Sequence, residues 1–208
     1  MATDSPDELQ EMEWGLVPFW VKSAEQAGDI ANKTLNAKAE TIFQLPSFRA
    51  AILKRRCIIP VNGFYEWRHF GKKTYPYFIY PKDRSYFCLA GIWEEWTDRE
   101  TGEIKKTCSI ITTAANPLME QIHNTKMRMS LILNVTDAKR WISPDLKKPD
   151  IEILMKPFGQ VAWIPIQSAA CLPPGLRTQM FLKSFLGKNM RNFLLWYWII
   201  RFQLIFLP

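Results

Sequence analysis

The sequence predicts a single α+β domain in which many short strands are joined by turns and a few short helices. Apolar and aromatic runs of strand length, such as residues 75–80, 86–96 and 108–115, alternate with polar segments rich in turn residues. A capping pair, Asn116-Pro117, marks the start of a short helix. The length of 208 residues suits one domain, and a composition of 48% hydrophobic and 23% charged residues excludes a disordered chain.

The amino-terminal elements are predicted from turn residues and apolar spacing. Residues 14–20, WGLVPFW, indicate an extended segment broken by Gly and Pro, and residues 23–41 begin as a loop. Residues 48–56 combine apolar spacing with a basic end, which favours a short amphipathic helix. Residues 57–67 predict two strands around a tight turn at Val61–Gly63, because Asn-Gly is a common turn pair.

The second half of the chain repeats this alternation. Aromatic strands at 75–80 and 85–96 are separated by the polar PKDR turn, and a polar loop predicts a hairpin to the strand at 108–115. The remaining elements are a helix at 115–123, a strand at 127–134, a helix at 136–142 capped by Thr136 or Asp137, a loop with a short helix at 143–159, and a strand at 161–167.

Charge and cysteine content limit the classes of partner and cofactor. The net charge of +7 and the pI of about 9.3 favour anionic partners such as nucleic acid, although a Lys-rich surface alone would give the same balance. The cysteines at 57, 88, 108 and 171 form no Cys-x-x-Cys pair, and the chain has two His. We therefore expect no metal site and no cofactor, and buried thiols in a reducing compartment.

The two ends of the chain differ in character. The first fourteen residues are acidic and polar and lack the features of a secretory signal. The apolar run at 193–200 is shorter than the ~18 residues of a spanning helix, so a membrane location is not expected; a membrane-surface anchor is the alternative. We expect a cytoplasmic monomer.

Three polar residues beside predicted strands are candidates for proton transfer. Asn36 lies in LNAKAET, Glu66 lies between Tyr65 and Trp67, and His123 ends a predicted helix. A carboxyl group among aromatic rings has a raised pKa, and histidine titrates near neutral pH. Taken singly, each has a structural alternative: an outward-facing strand residue for Glu66, a helix-terminal residue for His123, and a turn or cap for Asn36.

The order and spacing of five motifs make the set more specific. WGLVPFW, LNAKAET, RRCIIPVNGFYEW, SIITTAAN and IHNTKMRMSLIL follow one another between residues 14 and 133. This series resembles the SOS-response-associated peptidase family of abasic-site processing proteins, and the resemblance covers roughly residues 12–166. NGFYEW and IHNTK…RM…LIL are its most diagnostic parts.

The resemblance implies a fold, a partner and a reaction. The fold would be compact and β-rich, with a barrel-like mixed sheet, short flanking helices and a basic groove for single-stranded DNA. The family's nucleophile is a cysteine directly after the initiator Met, and that Met is removed by self-processing. The amine and thiol of that cysteine attack the aldehyde of an abasic site and form a thiazolidine.

The resemblance also assigns roles to residues of this chain. Glu66 would be the general acid and base, His123 would assist opening of the sugar ring, and Asn36 would orient the nucleophile's amine. The residues expected to contact DNA are Lys38, Trp67, Thr112 and Arg128.

Four departures from the family pattern limit what the resemblance implies. Ala2 follows Met1 where the family has the nucleophilic Cys, Lys38 replaces Arg, Ser130 replaces Pro, and residues 168–208 do not resemble the family. The expectation is a truncated abasic-site processing domain at 1–167 with an aberrant apolar tail at 168–208, inactive in the covalent step. The alternatives are a non-covalent single-stranded DNA-binding protein and a non-functional truncated gene product.

Overall fold

Two β-sheets form the framework of the protein in the computed structural model, which describes residues 1–82, 86–157 and 163–167. The larger sheet contains β1 (Glu13–Trp14), β2 (Asn36–Lys38), β3 (Arg56–Val61), β6 (Phe87–Thr97), β7 (Ile104–Ala114), β8 (Arg128–Ser130) and β9 (Ile132–Leu133). The smaller sheet contains β4 (Phe64–Phe70), β5 (Lys73–Pro81) and β10 (Trp163–Gln167). The helices are α1 (Ala24–Ala31), α2 (Arg49–Lys54), α3 (Pro117–Ile122), α4 (Val135–Trp141) and α5 (Lys148–Leu154). The α+β class is thus confirmed.

The larger sheet is built around the hairpin of β6 and β7. These strands pair antiparallel from Thr97↔Ile104 to Gly91↔Ile110 and then diverge. The gap between them is filled by β8, which pairs with β7, and β9, which pairs with β6. The other side of β7 pairs in parallel with β1 and β2, and the other side of β6 pairs antiparallel with β3.

The predicted barrel is wrong in one respect, because the described strands form two open sheets rather than a closed cylinder. Closure requires each strand to have a neighbour on both sides. Here the chain leaves the larger sheet after β3 and enters the smaller sheet at β4. The outer edge of β3 is bonded to the first residues of the chain, through Thr3 N–H to Arg56 O and Ile58 N–H to Met1 O.

The larger sheet separates two apolar clusters. On one face, the helices α2, α4 and α5 supply Ile52, Trp141 and Ile151, which are fully buried. On the other face, α3 and the smaller sheet supply Met119, Phe64 and Ile79. The second cluster underlies the candidate site described below.

A buried arginine joins the ends of two helices. The guanidinium of Arg56 is 0% exposed and donates to four carbonyl oxygens, those of Ile52, Leu53, Trp141 and Ser143. These carbonyls lie in the last turn of α2 and at the carboxyl end of α4, where helix carbonyls lack helical partners. Arg56 therefore satisfies carbonyl groups that would otherwise be buried without donors.

Several local predictions differ from the structure. Residues 24–31, predicted as loop, form α1, with Ser23 accepting from Gln26 N–H as its cap. The cap of α4 is Asn134 and not Thr136 or Asp137, because Asn134 already accepts from Asp137 N–H. The strands predicted on either side of Asn62-Gly63 are present, but they lie in different sheets and do not pair with each other. The predicted tail at 168–208 lies outside the described residues.

Gly63 is required for close packing and not for a turn. A Cβ at this position would lie 2.3 Å from the ring of Phe78 and 2.9 Å from the carbonyl oxygen of Ile79. The glycine therefore lets β5 pass directly against the chain where it changes sheets.

Candidate functional site

The structure brings Glu66 and His123 together. Glu66 is in the middle of β4, and His123 follows the last residue of α3. Glu66 Oε2 lies 3.6 Å from His123 Nδ1, and their side chains are 21% and 23% exposed. Helix α3 is fixed at its start by Asn116, whose side chain accepts from Met119 N–H at 3.0 Å. Both groups are thus held by regular structure and remain accessible to a ligand.

Hydrogen bonding defines which nitrogen of His123 is available. Nδ1 lies 2.9 Å from the carbonyl oxygen of Arg128. A carbonyl can only accept, so Nδ1 carries the proton. In the neutral ring, Nε2 then has the free lone pair and can accept a proton from a ligand.

The environment of Glu66 favours its protonated form. Burial raises the pKa of this carboxyl group, while the charge of His123 and the N–H of Trp67 act in the opposite direction. The Trp67 N–H lies 3.3 Å from Oε2, so it compensates burial weakly. A carboxyl group whose protonated form is favoured can act as a proton donor to a bound ligand.

Asn124 ties the histidine segment to the glutamate strand. Its side-chain oxygen accepts from His69 N–H at 3.1 Å, and its side-chain nitrogen donates to His69 O at 2.8 Å. The amide thereby bonds to the backbone edge of β4 as a neighbouring strand would. Asn124 directly follows His123, so these two bonds restrain the separation of His123 from Glu66. This residue was not predicted from the sequence, although it lies within the IHNTK motif.

A second polar cluster continues from Arg128. Its guanidinium makes two bonds to the carboxylate of Glu40, at 3.0 and 2.9 Å, and donates to the carbonyl oxygen of Thr112 at 2.7 Å and the Thr112 hydroxyl at 3.2 Å. The bonds from Arg128 lower the pKa of Glu40. Sequence reasoning also missed Glu40, whose only signal is its position two residues after Lys38.

Asn36 and Lys38 are placed on the same side of the larger sheet. Both are exposed on β2, with the buried Ala37 between them pointing to the opposite face. Asn36 is opposite Ile110, and Lys38 is opposite Thr112. Since Ile110 packs on the cluster that contains Phe64 and Ile122, this side of the sheet is also the side of Glu66 and His123.

Trp67 stands apart from this arrangement. It is half-buried and opposite Pro76, and strand alternation directs its side chain to the face of β4 opposite that of Glu66. Its backbone N–H, and not its ring, contacts the glutamate.

The described thiols are poor nucleophiles. Cys57 and Cys108 are buried, and burial raises the pKa of Cys57 well above its ordinary value and that of Cys108 to about 12. Cys88 is half-buried and its pKa is also raised. Ala2 is 0% exposed and forms a bridge with Cys57 at the edge of the sheet.

Two further classes of site are not found in the described part of the chain. Residues 1–82, 86–157 and 163–167 contain no group of three or more His, Cys, Asp or Glu that could hold a metal ion. Over the same ranges, no helix combines the length and the apolar character needed to cross a membrane.

Comparisons with known proteins agree with the motif series. Residues 1–170 match the SOS response associated peptidase (SRAP) family. The chain is 40% identical over 156 residues to the abasic site processing protein YoqW of Bacillus subtilis, covering 74% of this chain and 66% of YoqW. It is 29% identical over 188 residues to the abasic site processing protein HMCES of Gallus gallus, covering 80% of this chain and 55% of that protein.

A solved structure shares the fold. A crystal structure of a protein from Bacteroides thetaiotaomicron has a TM-score of 0.74 and 48% identity, covering 78% of this chain and 71% of the other. The chain thus spans about two thirds or less of the curated relatives named above and matches a family domain over most of its own length. The chain therefore belongs to the SOS response associated peptidase (SRAP) family.

Proposed function

We propose that this chain binds single-stranded DNA and holds an abasic site against Glu66 and His123. The observation that supports this most strongly is the 3.6 Å separation of Glu66 Oε2 from His123 Nδ1, with both side chains partly buried but still accessible. Two hydrogen bonds to backbone carbonyl oxygens, from His123 to Arg128 and from Asn124 to His69, restrain the positions of Glu66 and His123. The names of YoqW and HMCES, both abasic site processing proteins, supply the class of substrate.

The proposed chemistry is opening of the lesion's sugar ring. An abasic deoxyribose is a cyclic hemiacetal, and opening breaks the bond between C1′ and the ring oxygen. The ring oxygen gains a proton, and the C1′ hydroxyl loses one as the aldehyde forms. A protonated Glu66 can donate the first proton, and the lone pair on His123 Nε2 can accept the second.

The surrounding residues would hold the DNA backbone. Lys38 is exposed on the same side of the larger sheet and would contact a phosphate. Arg128 is paired with Glu40 in the free protein, so a phosphate contact would exchange one anionic partner for another. The Thr112 hydroxyl, which accepts from Arg128, would complete the contacts on this side of the sheet, whereas the ring of Trp67 lies on the other face of β4.

We further propose that a polypeptide of this sequence does not form a permanent crosslink. A thiazolidine takes its nitrogen and sulfur from one residue with a free α-amine. The four cysteines, at 57, 88, 108 and 171, are internal and have amide nitrogens, and Ala2 has no thiol. Burial also raises the thiol pKa values of the first three. The acid–base pair would therefore act on a lesion that remains reversibly bound.

Intact-mass measurement tests the absence of the crosslink. The protein is incubated with an abasic single-stranded oligonucleotide, denatured and weighed, with the oligonucleotide lacking the lesion as control. The expected spectrum contains only the free protein. A stable adduct that depends on the abasic site would overturn this part of the proposal.

A second candidate function is binding of single-stranded DNA without regard to lesions. The observation in its favour is the net charge of +7, which gives affinity for any polyanion. The two candidates differ in one measurable property, the preference for an abasic over an intact oligonucleotide.

A further inference from the structure

We propose that the face of the β4–β5 hairpin that carries Glu66 is a track for single-stranded nucleic acid, leading from the lesion site to the hairpin tip. The inference rests on the proposed DNA-binding function and extends it to residues outside the family motifs. The hairpin residues that would form the track are Arg68, Phe70, Lys73 and Tyr75.

Strand register places these residues on one face. The cross-strand partners on this face are Phe64↔Ile79, Glu66↔Tyr77, Arg68↔Tyr75 and Phe70↔Lys73, in order from the base of the hairpin to its tip. Alternate residues of a strand share a face, so the four pairs form a continuous ladder.

Burial falls steadily along this ladder. Phe64 and Ile79 are 4% and 1% exposed and pack in the apolar cluster beneath the site. Glu66 and Tyr77 are half-buried, and at the tip Phe70 is 73% exposed and Lys73 is exposed. At about 3.4 Å per residue, Phe70 lies about 14 Å from Glu66. This face of the hairpin therefore begins in the site, at Glu66, and becomes exposed to solvent toward the hairpin tip.

The composition of the hairpin identifies the occupant. Residues 67–81, WRHFGKKTYPYFIYP, contain three Lys or Arg and no Asp or Glu, and three of their six aromatic residues, Phe70, Tyr75 and Tyr77, share the face of Glu66. Within the described residues, Arg68, Lys72 and Lys73 form no ion pair with a carboxylate. On the track face, the exposed ring of Phe70 and the half-buried ring of Tyr75 lie among cations that have no carboxylate partner in the described part of the chain. Such rings suit bases that stack, and such cations suit phosphates, which favours single-stranded nucleic acid over a folded protein partner.

Two variants with substitutions on this face of the hairpin test the track. One should change the salt dependence of DNA binding, and the other should remove a base-stacking contact. Arg68→Gln with Lys73→Gln removes two cations, so the slope of log affinity against log salt should fall by about 1.4 for single-stranded DNA. Phe70→Ser removes one stacking ring and should weaken binding by about fivefold, the factor equivalent to ~1 kcal/mol. Lys139→Gln, an exposed change on α4 on the opposite side of the larger sheet, is the matched control and should alter neither value.

The position of the abasic site in the oligonucleotide distinguishes a directional track from non-directional electrostatic attraction to DNA. Fluorescence anisotropy is measured with an abasic site at the 5′ end or the 3′ end of otherwise identical strands. Because the hairpin leads away from Glu66 in one direction, the variants should weaken binding of only one of the two strands. An oligonucleotide too short to reach the tip should bind the variants and the unaltered protein equally.

The outcomes distinguish this inference from the proposed function. If the unaltered protein binds abasic DNA and the variants bind both strands as it does, the track is overturned and the site stands. Equal weakening of both strands also overturns it, because that result indicates non-directional attraction. If the unaltered protein binds no single-stranded DNA, both proposals fall.

Discussion

Replacement of Glu66 by Gln separates the role of the carboxyl group from that of its shape. The amide keeps the size of the side chain and its acceptor for the Trp67 N–H, but it cannot ionise. Burial raises the pKa of Glu66, which means that folding disfavours its charged form. We therefore expect Glu66→Gln to stabilise the folded protein at neutral pH while it removes proton transfer.

The sign and size of this effect follow from the surroundings of Glu66. A carboxyl group with a raised pKa in the folded state contributes fully to stability below its unfolded pKa, and that contribution is lost as pH rises through the folded pKa. The side chain is 21% exposed, and His123 and the Trp67 N–H offset part of the burial. The cost is thus far below that of an isolated buried ion, on the order of 1 kcal/mol, or about 2–4 °C in Tm.

Thermal unfolding between about pH 4 and pH 8 measures this difference. Glu66→Gln should unfold above the unaltered protein at pH 8, and the two should converge as pH falls. Glu40→Gln is the control of opposite sign, because Arg128 lowers the pKa of Glu40. Glu40→Gln should lower the free energy of unfolding by less than ~1 kcal/mol at pH 8, because Glu40 is 50% exposed. This difference should disappear as the pH falls. A Glu66→Gln protein less stable than the unaltered protein at pH 8 would refute the reasoning.

Three further substitutions test the hydrogen bonding and the packing that hold the fold and the site. Arg56→Met should lower the free energy of unfolding by ~2–4 kcal/mol in urea, because four carbonyl oxygens lose their donor; a loss below ~1 kcal/mol would contradict this account. Asn124→Ala should cost about 1 kcal/mol and weaken the abasic preference, whereas a change in neither would show that the amide restrains nothing. Gly63→Ala should destabilise by ~1–3 kcal/mol because of the 2.3 Å approach to Phe78, whereas Gly28→Ala, with open space inside α1, should be neutral or stabilising; equal effects would dismiss the packing argument.

Local sequence signals predicted those elements whose structure depends on neighbouring residues. The cap at Asn116, Pro117 at the first position of α3 and the hairpin of β6 and β7 all follow from short-range chemistry. The two strands around Asn62-Gly63 were predicted, but their placement in different sheets was not, because pairing partners depend on distant strands. Nothing in an Asn-Gly pair shows that β3 will pair with β6 and that β4 will pair with β5.

The site residues also divide into those that the sequence could indicate and those whose roles depend on distant parts of the chain. Glu66 and His123 could be singled out because the order of the motifs carries information that neither residue carries alone. Asn124 and Glu40 could not, since their roles depend on the backbone of β4 and the guanidinium of Arg128. The turn that returns Arg128 to His123 also passes through Met127 at φ +49°, a left-handed conformation that the sequence does not indicate for methionine.

The preference for a lesion is the property that tests the central proposal most directly. Equilibrium binding is measured at low ionic strength for two oligonucleotides that differ only by one abasic site, with the unaltered protein and with Glu66→Gln. We expect the unaltered protein to bind the abasic strand at least about fivefold more tightly, equivalent to ~1 kcal/mol. Glu66→Gln should lose that preference and keep its affinity for the intact strand. Equal affinity of the unaltered protein for both strands would contradict the assignment of Glu66 and His123 to an abasic site.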